Sequence, residues 1–152
     1  MSIPLDERLG TYIRRADQEL MAVKHDAVRP AGLTVPQYTA LYTLSAAPGM
    51  STAALSRSCA VTPQTMATVL KTLQERGLVE RRPHQWHRNV IETHVTAAGQ
   101  SALQTADEAA SNVERHLAAA FTPAERSTLT ALLNRCAEAL RSEREDLRQA
   151  HP

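Results

Sequence analysis

Residues 62–82 read TPQTMATVLKTLQERGLVERR and combine the signals for a helix, for its end and for a following strand. Thr62 is a favourable N-cap, and Pro63 fits the first helical turn, where its missing N–H is not needed. The apolar residues recur at helical spacing: Met66, Val69, Leu70 and Leu73. Gly77 stands where a left-handed residue commonly ends a helix. We therefore predict a helix over residues 62–76 and a short strand over residues 78–82.

The flanking segments complete a helix-turn-helix and a wing. Upstream, Thr34 to Gln37 form a capping box that opens one helix, and Ser51 caps a shorter helix that reaches about Ser58. Residues 59–61 join this short helix to the one that begins at Thr62. Downstream, a polar loop over 83–89 and a second strand over 90–95 make a β-hairpin. This order places one helix in a DNA major groove and the hairpin against the neighbouring backbone or minor groove.

The terminal regions predict three long helices with narrow apolar stripes. They cover residues 5–29, residues 97 to about 120, and the region after a capping box at Thr122. A small winged-helix lobe cannot cover all three stripes. We therefore expect a second copy of the chain to cover them across a twofold axis, with packing inside one chain as the alternative. Such a dimer would set two recognition helices about 34 Å apart.

The expected fold is mainly α with a small β-hairpin wing, and so belongs to the α+β class. We expect one domain over residues 1–152, with a winged helix-turn-helix lobe at 34–96 and dimerisation helices at 5–30 and 97–150. The composition agrees, because 25 Ala and 15 Arg favour helices, while 5 Gly and 3% aromatics argue against an all-β fold.

The solvent face of the 62–76 helix is rich in groups that can hydrogen-bond to DNA. Short hydroxyls and an amide fit against base edges, and a helix N-terminus attracts phosphate. Thr is a weak helix former, so four Thr in one short helix favour DNA readout over an ordinary amphipathic surface. The candidate readout residues are Thr62, Gln64, Thr65, Thr68, Lys71 and Thr72.

The predicted hairpin is rich in Arg and His and holds the only Trp of the chain. Arg is the usual minor-groove side chain, and Arg88 is the strongest candidate for a wing contact. Trp86 either packs against the hairpin or a second subunit, or touches the sugar-phosphate backbone. His84 and His87 lack a third metal ligand nearby, so we interpret them as solvated wing residues and expect no metal. The candidate wing and backbone contacts are Arg57, Arg82, His84, Trp86, His87 and Arg88.

The net charge of +1 would by itself argue against a nucleic-acid partner. It is, however, an average over two different regions. Residues 54–96 contain six Lys and Arg against three acidic residues, whereas residues 97–152 contain six against eight. The basic excess therefore lies on the predicted DNA-binding lobe, and double-stranded DNA remains the expected partner.

Other features exclude several classes of protein. We find no nucleophile–base pair, no Gly-rich phosphate loop and no metal triad, so we expect neither an enzyme nor a bound cofactor. No uncharged apolar run approaches the roughly 20 residues of a membrane span. The first residues lack the apolar stretch of a signal peptide, and we expect a cytoplasmic protein. Cys59 and Cys136 are expected to be buried, inert thiols.

Residues 33–99 resemble the MarR family of winged-helix regulators. The matching segments are Gly32-Leu33-Thr34 with Gln37-Tyr38, Leu55-Ser56-Arg57 with Pro63-Gln64-Thr65-Met66, the run from Leu73 to Arg81, and Val95-Thr96 with Gly99. With one helix before and two after, the resemblance covers nearly the whole chain. It implies a symmetric homodimer that binds a pseudo-palindromic operator and, as in most members, represses transcription. One departure concerns the wing, where the family commonly has Asp before Arg and this chain has His87 before Arg88.

The resemblance also implies a small effector, because many members release DNA when a phenolic, anionic ligand binds between the dimerisation helices and the lobe. Ring and charge chemistry suited to an aromatic acid is offered by Tyr12, Arg15, His25, Tyr38 and Tyr42. The Tyr residues could equally be part of the core. The alternative function is a winged-helix dimer that needs no ligand or that binds mainly protein.

Overall fold

The computed structural model describes residues 3–150, which form six α-helices and one two-stranded antiparallel sheet. Short 3-10 turns at Leu5–Glu7 and Arg29–Ala31 flank the first helix. The elements are α1 Leu9–Val28, α2 Val35–Ala46, α3 Thr52–Ser58, α4 Pro63–Glu75, β1 Val79–Pro83, β2 Ile91–Val95, α5 Ala97–Ala119 and α6 Pro123–Ala150. The predicted fold class, mainly helical with a small hairpin wing, is confirmed.

Side-chain caps begin the helices of the helix-turn-helix where the sequence predicts them. The Thr34 hydroxyl oxygen accepts from the Gln37 N–H at 3.3 Å, and the Gln37 amide oxygen accepts from the Thr34 N–H at 3.1 Å. Ser51 accepts from the Ala54 N–H, 3.2 Å away, at the start of α3. These contacts satisfy N–H groups that have no partner inside their own helix.

The end of α4 explains why β1 begins one residue later than predicted. Gly77 has a φ of +69°, in the left-handed region. Its N–H donates to the Gln74 carbonyl, and the Leu78 N–H donates to the Leu73 carbonyl, both at 2.9 Å. Because Leu78 closes the helix in this way, the strand starts at Val79 and extends to Pro83, which the sequence assigned to the loop.

The first helix is shorter than predicted at both of its ends. Arg8 is extended, with φ −81° and ψ 102°, and separates the 3-10 turn at Leu5–Glu7 from α1. The Arg8 side chain donates from Nε to the Ile3 carbonyl at 2.9 Å, which stabilises this break. At the other end Pro30 has no N–H to continue an α-helix, and a 3-10 turn follows Val28.

One compact unit of the chain extends to Val113 and contains the hydrophobic core. The core lies between the helix-turn-helix, the base of the hairpin and the first half of α5. Its largest fully buried apolar side chains are Val28, Leu41, Leu44, Leu55, Met66, Leu70 and Leu73. Because α4 contributes three of these, one face of that helix is fixed against the core and the other is left to solvent.

The second unit begins at Glu114 and contains the end of α5 and all of α6. No residue of α6 is buried in the single chain. The exposed apolar side chains of this helix are Leu129, Leu132, Leu133, Leu140 and Leu147. In the part of the chain that the structure describes, no helix is both long enough and apolar enough to cross a membrane.

Candidate nucleic-acid interface

The polar face of α4 points to solvent along the whole helix. Thr62, Gln64, Thr65, Thr68 and Lys71 are exposed, and Thr72 is half-buried. Buried Met66, Leu70 and Leu73 fix the opposite face. At the C-terminal end, Arg76 donates to the Gly32 carbonyl at 2.8 Å and so ties α4 to the turn before α2. The six predicted readout residues therefore lie on one rigid helix.

Three of the four threonine hydroxyls on this face, those of Thr62, Thr68 and Thr72, donate their protons to groups of the helix itself. Thr68 donates to the Gln64 carbonyl and Thr72 to the Thr68 carbonyl, each at 3.2 Å. Thr62 donates to the Thr65 hydroxyl at 2.9 Å. The oxygens of Thr68 and Thr72 keep lone pairs that can accept a hydrogen bond. In a major groove they would therefore suit the amino groups of adenine or cytosine.

The turn between α3 and α4 contains a strained residue that the sequence analysis did not single out. Ala60 has a φ of +54°, although it carries a side chain. The Val61 N–H donates to the Ser56 carbonyl at 3.0 Å, which closes the turn. Both cysteines are half-buried in the single chain. Cys59 lies in this turn with its Sγ 3.6 Å from the Thr43 hydroxyl, and Cys136 lies on α6. The expectation that both thiols are buried is wrong for the single chain.

The base of the wing is fixed to the helix-turn-helix. Thr93 of β2 donates its N–H to the Met50 carbonyl and accepts from the Gly49 N–H, both at 3.1 Å. Arg81 of β1 donates to the Thr52 hydroxyl at 2.9 Å, at the start of α3. The hairpin and α4 therefore belong to one body, because both rest on α3 and the loop before it.

The tip of the wing presents basic and aromatic side chains to solvent. Arg88, His87 and Trp86 are exposed, and Trp86 keeps 78% of its surface. Its ring therefore does not pack against its own hairpin, which removes one of the alternatives for this residue. Arg82 is exposed and pairs with Glu80 of the same strand. Arg57 is exposed in the last turn of α3.

His84 differs from the other predicted wing contacts, because its ring turns back into the hairpin. Its Nδ1 accepts from the backbone N–H groups of Trp86 and His87, at 3.0 and 3.1 Å. Its Nε2 lies 3.5 Å from Oε1 of Glu92, whose Oε2 lies 3.1 Å from Nε2 of His94. Strand alternation places Glu92 and His94 on one face of β2, but the pairing with His84 could not be deduced from that. Within residues 3–150 no three His, Cys, Asp or Glu side chains are grouped as a metal site.

A shallow cavity of about 330 Å³ lies between α2 and α5. The Tyr38 hydroxyl donates to Oδ1 of Asp107 at 2.8 Å, and the Tyr38 and Tyr42 ring centroids are 6.0 Å apart. The lining residues are Tyr42, Ser45, Ala46, Gln100, Leu103, Gln104 and Asp107. The sequence analysis missed the three polar residues from α5, although their i, i+4, i+7 spacing places them on one helix face.

The predicted ligand residues do not all meet at this cavity. Tyr42 lines the cavity, and Tyr38 lies beside it through its hydrogen bond to Asp107. Tyr12, Arg15 and His25 of α1 are not part of the lining. Tyr12 is exposed and donates to the Asp6 carbonyl at 3.0 Å. His25 is exposed, with Nδ1 3.7 Å from Oδ1 of Asp26. The single chain thus brings together two of the five.

Comparison with known proteins finds similar transcriptional regulators. A model described as MarR family matches residues 31–88. The HTH-type transcriptional repressor Rv2887 of Mycobacterium tuberculosis is 35% identical over 107 residues, which cover 70% of this chain and 77% of that protein. The crystal structure of a probable transcriptional regulator from Pseudomonas aeruginosa superposes with a TM-score of 0.80 at 28% identity, over 88% of this chain and 99% of that one. The structure of Rv2887 in complex with p-aminosalicylic acid gives a TM-score of 0.67 at 29% identity, over 86% and 98%.

Proposed function

The chain belongs to the MarR family of winged helix-turn-helix transcriptional regulators, and we propose that it binds a pseudo-palindromic operator as a homodimer and represses transcription. The observation that carries this proposal is the polar face of α4, on which all the predicted readout residues but the half-buried Thr72 are exposed, while the opposite face packs in the core. A helix held in this way can enter a major groove without losing its packing. The curated relative that it resembles is named as a repressor.

The charge of the lobe supports DNA as the partner. The basic side chains Arg57, Lys71, Arg82 and Arg88 are exposed on α3, α4 and the wing. Arg57 and Lys71 lie on the helix-turn-helix, where they would contact phosphates, and the exposed Arg88 of the wing tip would contact a minor groove. Phosphate contacts of this kind supply affinity, and the α4 face supplies the choice of sequence.

A binding selection from random duplexes, followed by titration at graded salt, tests the proposal. We expect the selected duplexes to share an inverted repeat, with half-sites about one helical turn apart. The logarithm of the binding constant should fall with the logarithm of salt concentration with a slope of roughly −5 to −9, as for about 6–10 phosphate contacts. Binding without sequence preference, or an affinity insensitive to salt, would contradict the proposal. Repression is then tested with a reporter gene placed behind the selected site.

The homodimer is proposed from the apolar faces of the terminal helices. The second unit leaves the leucines of α6 exposed, and α1 leaves Leu9, Ile13, Met21 and Val23 exposed in the same way. Exposed apolar side chains on both terminal helices are the kind of surface that an interface buries. A twofold arrangement also matches an inverted-repeat operator, because each protomer then reads one half-site.

We further propose that a small aromatic acid occupies the cavity between α2 and α5 and lowers operator affinity. Tyr42, Ser45, Gln100 and Gln104 offer ring stacking and hydrogen bonds there. The similar protein Rv2887 is seen with p-aminosalicylic acid. Asp107 repels an anion, so a cation is required nearby; Arg15, the sequence-predicted candidate, is not part of the lining in the single chain. Thermal-shift measurements with p-aminosalicylate and with its neutral amide test this, because a bound ligand raises the melting temperature. A larger shift with the amide would contradict the anionic class.

A further inference from the structure

Two backbone hydrogen bonds close the wing tip, from the His84 N–H to the Val90 carbonyl at 2.7 Å and from the Val90 N–H to the His87 carbonyl at 2.8 Å. The His84 imidazole adds two more hydrogen bonds, and we infer that His84 is a positioning residue for DNA binding and does not itself contact DNA. This inference rests on the proposed function, because it concerns how the wing is presented to an operator. From the sequence alone, His84 is predicted to be one of the DNA contacts of the wing loop. The geometry separates it from them, since both of its ring nitrogens face groups of the same hairpin.

The Nδ1 atom of His84 is the acceptor of both side-chain hydrogen bonds at the tip. It receives the N–H groups of residues two and three positions further on, Trp86 and His87. Asn and Asp side chains make the same pattern when they initiate a turn. Because Nδ1 accepts, the N–H of the ring lies on Nε2. That nitrogen faces the carboxylate of Glu92 at 3.5 Å, which favours this tautomer.

A series of contacts connects the His84 ring to the loop before α3. The Glu92 carboxylate lies between His84 and His94, and its second oxygen is 3.1 Å from Nε2 of His94. Gly49, in the loop before α3, lies against both: a Cβ built on it would be 3.4 Å from the His94 ring and 3.6 Å from the Glu92 carboxyl carbon. His87 is the other titratable group beside His84, with ring centroids 5.2 Å apart. These residues connect the tip to the helix-turn-helix. Both ring nitrogens of His84 already face groups of the hairpin, so neither is left to contact a phosphate.

The functional consequence falls on the residues that follow. Trp86 and Arg88 are exposed at the tip, and their directions depend on the backbone that His84 holds. Without the acceptor, the two N–H groups would turn to water and the tip would sample several conformations. Binding DNA would then require ordering it again, which lowers affinity without removing any contact.

Three substitutions at one position separate positioning from contact. His84→Ala removes the acceptor, His84→Asn keeps an acceptor oxygen near the place of Nδ1, and His84→Arg adds a permanent positive charge but has no acceptor. His87→Ala is the matched control for the anisotropy measurement alone, because it removes a neighbouring imidazole that is itself a predicted wing contact and leaves its backbone N–H in place. Two measurements are made on each: operator affinity, and the fluorescence anisotropy of Trp86 in the protein without DNA. Trp86 is the only Trp in the sequence, so its signal reports the tip alone.

We expect His84→Ala and His84→Arg to bind the operator roughly tenfold more weakly than the wild type, about the effect of one to two lost hydrogen bonds. Both should lower Trp86 anisotropy, while His84→Asn and His87→Ala should keep it near the wild-type value. His84→Asn should bind within about twofold of the wild type. Equal or tighter binding by His84→Arg, or unchanged anisotropy in His84→Ala, would overturn the inference. A wild-type protein that binds no operator would instead contradict the proposed function, and the anisotropy series would still decide the role of His84.

Discussion

Gly99 lies directly against the backbone carbonyl of Leu78, and a Cβ at position 99 would come within 2.0 Å of that oxygen. The contact brings the first turn of α5 onto the residue that ends α4 and begins the wing. Thr96 strengthens the same junction, because its hydroxyl donates to the Gly77 carbonyl at 2.6 Å and its N–H to the Leu78 carbonyl at 3.1 Å. The position of the recognition helix relative to α5 is thus set by contacts too close to admit a side chain.

Gly99→Ala should therefore lower the free energy of unfolding by roughly 2 kcal/mol or more, because backbone must move to admit the methyl group. Urea denaturation measures the change. Gly10→Ala is the control: it lies in α1 with open space around it, so the same substitution should be neutral or stabilise by up to about 1 kcal/mol. Equal effects at the two positions would show that the Leu78 contact is not rigid.

The turn between α3 and α4 should be improved by a glycine. Ala60 has a φ of +54°, and an L-residue in this region destabilises the fold by about 1–2 kcal/mol. A glycine removes this strain, but it also makes the unfolded chain more flexible, which offsets part of the gain. We expect Ala60→Gly to stabilise the protein by up to about 1 kcal/mol in thermal or urea unfolding. Ala67→Gly, in the middle of α4, should destabilise it by about 1 kcal/mol. If Ala60→Gly also destabilised, the left-handed turn would be wrong.

Much of this fold was accessible from the sequence because the signals are local. Caps at Thr34, Ser51 and Thr62 and the left-handed Gly77 depend on a few neighbouring residues, and each was placed correctly. The strand start at Val79 was missed by one residue, because a helix-closing bond to Leu78 outweighed its β propensity.

The features that the sequence did not reveal depend on contacts between distant residues. The role of His84 requires knowing that Glu92 faces it across the hairpin, and the cavity requires knowing that Asp107 lies beside Tyr38. The spacing of apolar residues along the sequence does not show which distant side chains contact each other. Ala60 was missed for a different reason, since nothing in its type signals a positive φ.

The α4 face and the wing should respond differently to alanine. Gln64→Ala and Thr68→Ala remove groups expected at base edges, so each should relax the preference at one operator position by about 1–3 kcal/mol. Arg88→Ala should weaken binding to all sequences by a similar factor and reduce the salt slope by about 1. Competition titrations with single-base operator variants measure both. Identical profiles for the two kinds of variant would contradict the assignment of readout to α4.

The capping box of α6 should give a pH-dependent contribution to stability. The N–H and hydroxyl of Thr122, in that order, hold the pKa of Glu125 below its ordinary value of 4.5, and the Thr122 N–H lies 2.8 Å from the carboxylate. A lowered pKa in the folded state means that the contribution is complete above the unfolded pKa and is lost as the pH falls through the folded one. Glu125→Gln removes the titration but keeps an acceptor, so the stability difference from the wild type should shrink on acidification below about 4.5.

A site-resolved titration checks the cause of that shift. In the Thr122→Ala variant the backbone N–H, which is the larger cause, remains, so the Glu125 pKa should rise only part of the way toward its ordinary value. The loss of the N-cap hydroxyl should destabilise α6 by about 1 kcal/mol. An unchanged Glu125 pKa in this variant would assign the whole shift to the Thr122 N–H, with no share for the hydroxyl.

The last prediction concerns the leucines of α6, which are exposed in the single chain. In a twofold interface each substitution acts twice, once from each protomer. Leu133→Asp should therefore lose about 3–6 kcal/mol of association free energy and raise the dimer dissociation constant at least 100-fold. Ser142→Asp adds the same charge on the opposite side of the helix and should leave the dimer intact. Sedimentation equilibrium separates the two variants. Operator binding should fall with dissociation, because a monomer can occupy only one half-site, whereas a Leu133→Asp protein that stays dimeric would place the interface elsewhere.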